Sequence, residues 1–203
     1  YDLVDEVWED RPALSEEPVF ALELKYAGET TESKLARIRE YMKECGAAKH
    51  ILTTLDDICW ILNIRGNDVE FFPLVLSYAV ITMDSMELYI NEKKLSAEIK
   101  EALAKDGVVL HPYNNIYEDV KKLEDGEVIL IDPGKLNYAL YSNIPENVVK
   151  VEKRNPEELF KAMKNPVEIE NIRKAQIKDS VAHVRFMKWL KENIGKQEIT
   201  EIS

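Results

Sequence analysis

Apolar positions recur along the chain in two rhythms, and their alternation sets the expected architecture. From Thr30 or Thr31 to Gly46, Leu35, Ile38 and Met42 fall at the spacing of one helical face, and Gly46 marks the stop. "KHILTT" reads as a short buried strand. Thr54 then caps a second helix with Ile58, Ile61 and Leu62 on its inner face, and Asp57 stands three residues on as the returning acid of a capping box. "VLSYAVITM" and "MELYIN" read as strands joined in a hairpin at Asp84-Ser85. A helix follows from Ser96 to Gly107, then the strand "VVLHPY" and a helix opening at Asn115 with Glu118 at its third position. The strand "EVILID" ends at Pro133-Gly134 and is followed by the helix "KLNYALYSNI" and the strand "VVKVEK". Helices alternating with short strands, broken by one hairpin, imply an α/β fold with a mixed β-sheet flanked by helices.

The two ends differ from this core. Residues 1–29 carry Pro12, Pro18 and several acids with little periodicity, and read as a linker from a preceding domain in which Trp8 packs on the fold. Near the C-terminus, "NPEELFKAMK" offers Asn155 as cap, Pro156 at the first helical position and Glu158 at the third. "NPVEIENIRKAQ" repeats the device with Asn165, Pro166 and Glu168. The helix from Pro166 to Asn193 would be about 42 Å long at 1.5 Å per residue. Ile169, Ile172, Phe186, Trp189 and Leu190 give it a wide apolar stripe that should pack on something large. The expected divisions are residues 1–29, a central domain over 30–163, and the start of a further domain over 164–203. The chain begins at Tyr1 and stops at "EITEIS", where another helix is expected to start, so it reads as a piece of a longer protein.

Composition narrows the partners. With 27 basic and 38 acidic residues among 203, the formal charge of −11 repels phosphate backbones, so no nucleic acid is expected. Lys93-Lys94 and Lys121-Lys122 read as solvated helix faces. No apolar run approaches the length of a membrane span. The two cysteines make no disulfide framework, Cys59 reading as a core residue and Cys45 as a helix-end residue, which suits a reducing cytoplasm.

Chemistry-bearing motifs are scarce. His50, His111 and His183 are scattered, with no paired spacing that would hold a metal, and read as structural or surface residues. Ser77 lies in a strand without a nucleophile elbow. Asp56 and Asp57 diverge by about 100° on a helix, so capping explains them better than acid–base work. No complete active site can be assembled. The stretch "LNIRGNDVEFFPLVLSY" is the exception to a bland reading: Arg65, Asp68 and the pair Phe71-Phe72 exceed what a turn requires.

Leu55, Asp56, Asp57, Ile58, Trp60, Leu62, Asn63, Arg65, Gly66, Asp68, Pro73, Ser77 and Tyr78 together resemble the central domain of aminopeptidase P, the Xaa-Pro aminopeptidases. "MKNPVEIENIRKAQIKDSVAHVRFMKWL" resembles the start of that family's catalytic domain, and "WEDRPALSEEP" its linker. The resemblance implies a creatinase-type α/β domain plus the first long helix of a "pita-bread" metallopeptidase domain. It implies a parent enzyme that removes an N-terminal residue preceding proline, with two divalent metal ions, usually manganese, and a cytoplasmic homodimer. It assigns no catalytic residue and no metal ligand to this chain, which alone should be inactive. Two positions depart from the pattern: Phe71-Phe72 replace a Tyr-Asn pair, and Gln176 stands where relatives often have His.

Within that resemblance, the loop residues Arg65, Asp68, Phe71 and Phe72 are candidates to border the substrate cleft. The bland alternative has Arg65 bridging a carboxylate and Asp68 capping the loop. Two other readings share the architecture: a non-catalytic binding module like that of a histone chaperone, and a creatinase or prolidase relative with other substrates.

Overall fold

The computed structural model describes residues 3–202. In chain order the elements are α1 (Val4–Val7), β1 (Phe20–Ala21), α2 (Leu24–Ala27), α3 (Thr31–Glu44), β2 (Lys49–Leu52), α4 (Leu55–Ile61) and β3 (Ile64–Arg65). They continue through β4 (Ser77–Thr82), β5 (Met86–Ile90), α5 (Ala97–Lys105), β6 (Val108–His111), α6 (Ile116–Asp119), β7 (Val128–Ile131), α7 (Tyr138–Asn143), β8 (Val149–Glu152), α8 (Pro156–Ala162) and α9 (Pro166–Asn193).

Successive strand residues point to opposite faces of a sheet, and here both faces are covered. Leu52, Ile81, Leu88 and Leu130 meet Leu35, Ile38, Ile58 and Ile61 of α3 and α4 on one side. Ile51, Val80, Ile129 and Ile131 meet Ile116, Val120, Leu140 and Ile144 on the other. The resulting six-stranded sheet runs β6-β5-β4-β2-β7-β8. The hairpin pair β4–β5 and the pair β2–β4 are antiparallel, while β5–β6, β2–β7 and β7–β8 are parallel. This is the mixed sheet between helix layers that the periodicity implied.

Local signals explain most boundaries. The Thr30 side chain accepts from Ser33 N to cap α3, and the Ser96 side chain accepts from Ile99 N to cap α5. At α9 the full capping box forms: Asn165 Oδ1 accepts from Glu168 N at 3.0 Å, and Glu168 Oε2 accepts from Asn165 N at 2.9 Å.

Four expectations are corrected. Thr54 sits at the cap position of α4 but makes no capping bond; its hydroxyl donates to Asp57 instead. Asn155 makes no side-chain cap for α8, because its amide is drawn inward to Thr54 and Asp57. Asn115 ends a short 3-10 turn, Tyr113–Asn115, and contributes no capping bond to α6. Trp8 is 47% exposed and does not bury its ring on the fold.

The leading segment is laced to the domain rather than free of it. β1 pairs antiparallel with β3, Phe20 opposite Arg65 and Ala21 opposite Ile64, and Val19 N donates to Lys94 O at 2.9 Å. α2 in turn holds α9: Asn165 Nδ2 donates to Ala27 O at 2.8 Å and Asn171 Nδ2 to Lys25 O at 2.9 Å. Among the described residues α9 has no other extensive packing, and none of its 28 residues is buried. Of its stripe, Ile172 turns toward the central fold, while Ile169, Phe186 and Trp189 stay largely uncovered.

Candidate functional site

The loop between β3 and β4 is built from its ends inward. α4 stops at Leu62, and Asn63 takes a positive φ of 52°, which Asn tolerates better than most residues. Gly66 is required by space, since a Cβ there would stand 2.8 Å from Val75 Cγ2. Arg65 Nη1 donates to Cys59 O at 2.8 Å and Ile64 O at 2.7 Å. The guanidinium therefore clamps the end of α4 through carbonyls, and the expected carboxylate bridge is absent among the described residues. Asp68 Oδ2 accepts from Leu76 N at 2.6 Å and pairs with Lys94 Nζ. Both side chains of that pair are buried, so Lys94 is no solvated helix residue as its sequence neighbours implied; only Lys93 of the two reaches solvent, where it pairs with Glu16.

With its base pinned in this way, the loop tip projects. Phe72 N donates to Val69 O at 3.1 Å, closing a tight turn that holds Phe71 at φ 66°. Bulky residues rarely adopt that left-handed backbone, and doing so costs about 1–2 kcal/mol. Phe71 is 91% and Phe72 62% exposed, so packing within the domain does not repay the strain.

Behind Arg65, the domain and α9 flank an open groove of about 310 Å³ lined by Lys34, Trp60, Asn63, Arg65, Lys164 and Glu168 among others. Lys34, on α3, is buried. Its ammonium donates to Trp60 O and Asn63 Oδ1, each at 2.6 Å, and lies 4.6 Å from the Trp60 ring centre. Burial lowers its pKa to about 8, helped by the nearby cations Arg65 and Arg37 and opposed by Glu29 and Glu168. Glu29 itself is bound to Arg37 at 2.7 Å.

A second polar cluster lies inside, where α8 meets the ends of β2 and β7. Lys161 Nζ binds Asp57 Oδ1 at 2.6 Å and also contacts Asp56, so the paired carboxylates that read as capping groups instead grip one lysine of α8. Burial opposes both charges, yet these bonds raise Lys161 and lower Asp56. Asp132 accepts from Gly134 N and Asn155 N. His50, fully enclosed, has Nδ1 3.0 Å from Leu130 O and Nε2 3.3 Å from Glu157 Oε2. A carbonyl only accepts, so Nδ1 carries a proton. Burial would lower the His50 pKa, but Glu157 and the Leu130 carbonyl outweigh it and the net shift is upward. Glu157 Oε1 and Asn155 Oδ1 have no hydrogen-bonding partner among the described residues.

The remaining sequence candidates have structural partners. Ser77 is buried and its hydroxyl donates to Val75 O at 3.1 Å. Tyr78 Oη lies 3.1 Å from Tyr117 Oη, and burial pushes Tyr78 up to about 12. His111 pairs with Glu87 at 2.6 Å, and His183 lies on an exposed turn of α9. Gln176 Nε2 donates to Ser180 Oγ along the same helix. Of the four loop candidates, Arg65 lines the groove against α9, Asp68 is inside the fold with Lys94, and Phe71 and Phe72 form the exposed tip. Lys34 and Lys161 have no mark in the sequence pattern, because a single lysine in a helix carries no signal of burial.

Comparison with known proteins places this arrangement. The profile of the family described as "Creatinase/Prolidase N-terminal domain" matches residues 10–168. The chain is 36% identical over 203 residues to the "Probable Xaa-Pro aminopeptidase P" of Neurospora crassa, covering 95% of this chain and 30% of that protein. It is likewise 36% identical over 197 residues to "Xaa-Pro aminopeptidase 1" of Dictyostelium discoideum, covering 95% and 31%. Its structure is similar to the X-prolyl aminopeptidase of Caenorhabditis elegans, described as a cytosolic enzyme with a di-nuclear active site: TM-score 0.87, 33% identity, 95% of this chain and 32% of that one. The chain thus spans about a third of the length of the relatives it matches.

Proposed function

Because the chain belongs to the Creatinase/Prolidase N-terminal domain family, we propose that it serves as the non-catalytic central portion of a dinuclear-metal Xaa-Pro aminopeptidase. The parent enzyme would cleave the N-terminal residue from peptides with proline in second position, in the cytosol and as a homodimer. The single observation that carries this reading is the likeness to the C. elegans enzyme over 95% of the chain at a TM-score of 0.87.

In this reading residues 1–29 lead in from a preceding domain, residues 30–163 form the central domain, and residues 164–203 open the catalytic domain. The unburied stripe of α9 supports the last division, since a 28-residue helix with exposed Ile169, Phe186 and Trp189 needs a covering layer. Two divalent metal ions, manganese by family resemblance, would belong to the parent. Among the described residues, no three His, Cys, Asp or Glu side chains stand together to hold a metal ion. The local role of this chain is to order the domains and to wall the substrate cleft, with Arg65, Phe71 and Phe72 toward the cleft and Asp68 fixing the loop from inside. No described helix is long and apolar enough to cross a membrane.

The test compares the 203-residue chain with a protein of the relatives' full length, both with added manganese and a peptide carrying proline at position two. Proline-specific release by the longer protein alone is expected. Turnover by the short chain would overturn the non-catalytic assignment. A longer protein without cleavage activity that binds basic proteins would favour the binding-module reading.

A further inference from the structure

The groove between Arg65 and α9 is not explained by domain packing. Lys34 brings a buried ammonium into a site where both of its bonded partners are neutral oxygens, Trp60 O and Asn63 Oδ1. A buried cation without a bonded counter-charge is costly. Glu29, the acid that acts on it most strongly, is bonded to Arg37 and not to Lys34. Glu168 lines the groove but spends one carboxylate oxygen on the Asn165 backbone at the start of α9. Arg65 commits Nη1 to two carbonyls, leaving Nε and Nη2 without a partner among the described residues. Lys164 lines the rim, with its ammonium donating to Lys161 O. Lys34 and Arg65 thus bring two cations to the groove with no acid bonded to either, although Glu168 and Glu29 lie near Lys34.

The geometry points to this groove as a binding site for a small organic carboxylate with an apolar body. The planar fork of Arg matches a carboxylate, and the free edge of Arg65 is the pair of donors such a group takes. The walls supply the rest of the specificity: the Trp60 ring, Leu22, Ile172 and Ala175 offer apolar surface for the body of the ligand. A volume of about 310 Å³ suits a molecule the size of an acylated amino acid. Asn63, in its left-handed backbone, holds both Lys34 Nζ and Glu29 O, so the site is braced before anything binds. Because one wall is α9 and the other the central fold, a bound carboxylate would also fasten the helix to the domain. Burial depresses the pKa of Lys34, and the nearby Glu29 and Glu168 only partly offset it. None of this depends on the peptidase reading.

The test titrates N-acetyl-L-leucine into the isotopically labelled 203-residue chain at constant ionic strength and follows amide and side-chain resonances of Asn63, Arg65 and Asn171. N-acetyl-L-leucinamide keeps the body without the charge, acetate keeps the charge without the body, and inorganic phosphate tests another anion. A short peptide ending in a free leucine carboxylate tells a peptide C-terminus from a free acid. Saturable shifts at these three residues with N-acetyl-L-leucine or the peptide are expected, at least tenfold weaker with acetate and absent with the amide. Lys164→Glu, a change at an exposed position, should weaken binding about tenfold, and Arg65→Gln should abolish it. Ligand should also raise the Lys34 titration above about 8. Equal binding of acid and amide, tighter binding of phosphate, or no saturable shift in the native chain would overturn the site.

Discussion

Lys94 and Asp68 form an ion pair with both side chains excluded from solvent, which joins the loop after β3 to the short turn after β5. Asp68 Oδ2 holds the pair together with Leu76 N, while Asp68 Oδ1 has no partner among the described residues. Such a pair adds little over a matched neutral replacement, but removing one partner strands the other charge. Lys94→Met should therefore cost about 3–5 kcal/mol, read from urea unfolding. Adding Asp68→Asn to that variant should recover part of the loss. A Lys94→Met chain as stable as the parent would show that the pair is dispensable.

Phe71 gives the opposite sign. Its φ of 66° is strained for any side chain, and its ring is almost wholly in solvent. Phe71→Gly should stabilise the chain by about 1 kcal/mol, measured as a higher unfolding midpoint. In a full-length peptidase the same change should raise KM for peptide with little loss of stability, since strain kept at an exposed site points to function. Unchanged kinetics would remove Phe71 from the cleft.

The buried His50–Glu157 contact ties the sheet to α8 and makes a pH-dependent contribution. A histidine whose folded pKa is raised contributes stability fully below its unfolded value, about 6.5, and loses it as pH rises through the folded pKa. Groups facing it are Glu157 from α8 and, farther off, Asp57 from α4. Glu157→Gln should thus destabilise most at pH 5.5–6.5, with the gap to the native chain narrowing toward pH 8–9. Thermal midpoints of both proteins across that range decide it, and a gap that widens with pH would contradict the assignment.

Lys34 acts in the reverse direction. Its folded pKa near 8 lies below the unfolded value of about 10.4, so the folded state resists its protonation and stability rises between those limits. Burial also raises the Cys59 pKa, which lowers stability over the upper part of the same window, so the native chain alone is not diagnostic. The difference between native and Lys34→Met stability should grow in favour of the native chain from pH 8 to 10. A flat difference would show that Lys34 is solvated.

These residues mark where sequence reading reached its limit. The sheet and its helices were legible because Leu35, Ile38 and Met42 repeat at a period fixed by helix geometry, and Ile51 and Leu52 lie in a short apolar run of the kind that fills a strand covered on both faces. The capping box of α9 was legible for the same reason: Asn165 and Glu168 act within one turn. What failed was long-range polar pairing. Thr54, Asp57 and Asn155 carry perfect local capping patterns, yet Lys161, over a hundred residues along the chain from Asp57, draws that carboxylate into a buried cluster. Lys94 failed likewise, since its place beside Lys93 conceals a partner 26 residues earlier in the sequence. The Arg65 loop was found as unusual, but its groove was not, because Lys34 and Lys164 reach it only through the fold.

The seating of α9 depends on one glycine. Gly28 follows α2 with φ 70°, and a Cβ there would lie 2.3 Å from Asn165 Oδ1, the atom that caps α9. The same Asn165 side chain donates to Ala27 O, so the end of α2 and the start of α9 share a single amide. Gly28→Ala should add left-handed strain of about 1–2 kcal/mol to the loss of a cap worth about 1 kcal/mol. The total expected loss is about 2–3 kcal/mol in urea unfolding. Asn165→Gly removes the clashing amide and itself loses the cap, so the double variant should cost less than the sum of the two single changes. Amide exchange then separates strain from seating: the first turn of α9 should lose protection in Gly28→Ala while α3 keeps it. Equal loss in both helices would mean that Gly28 supports the fold as a whole, and strict additivity would mean that the two residues do not share the contact.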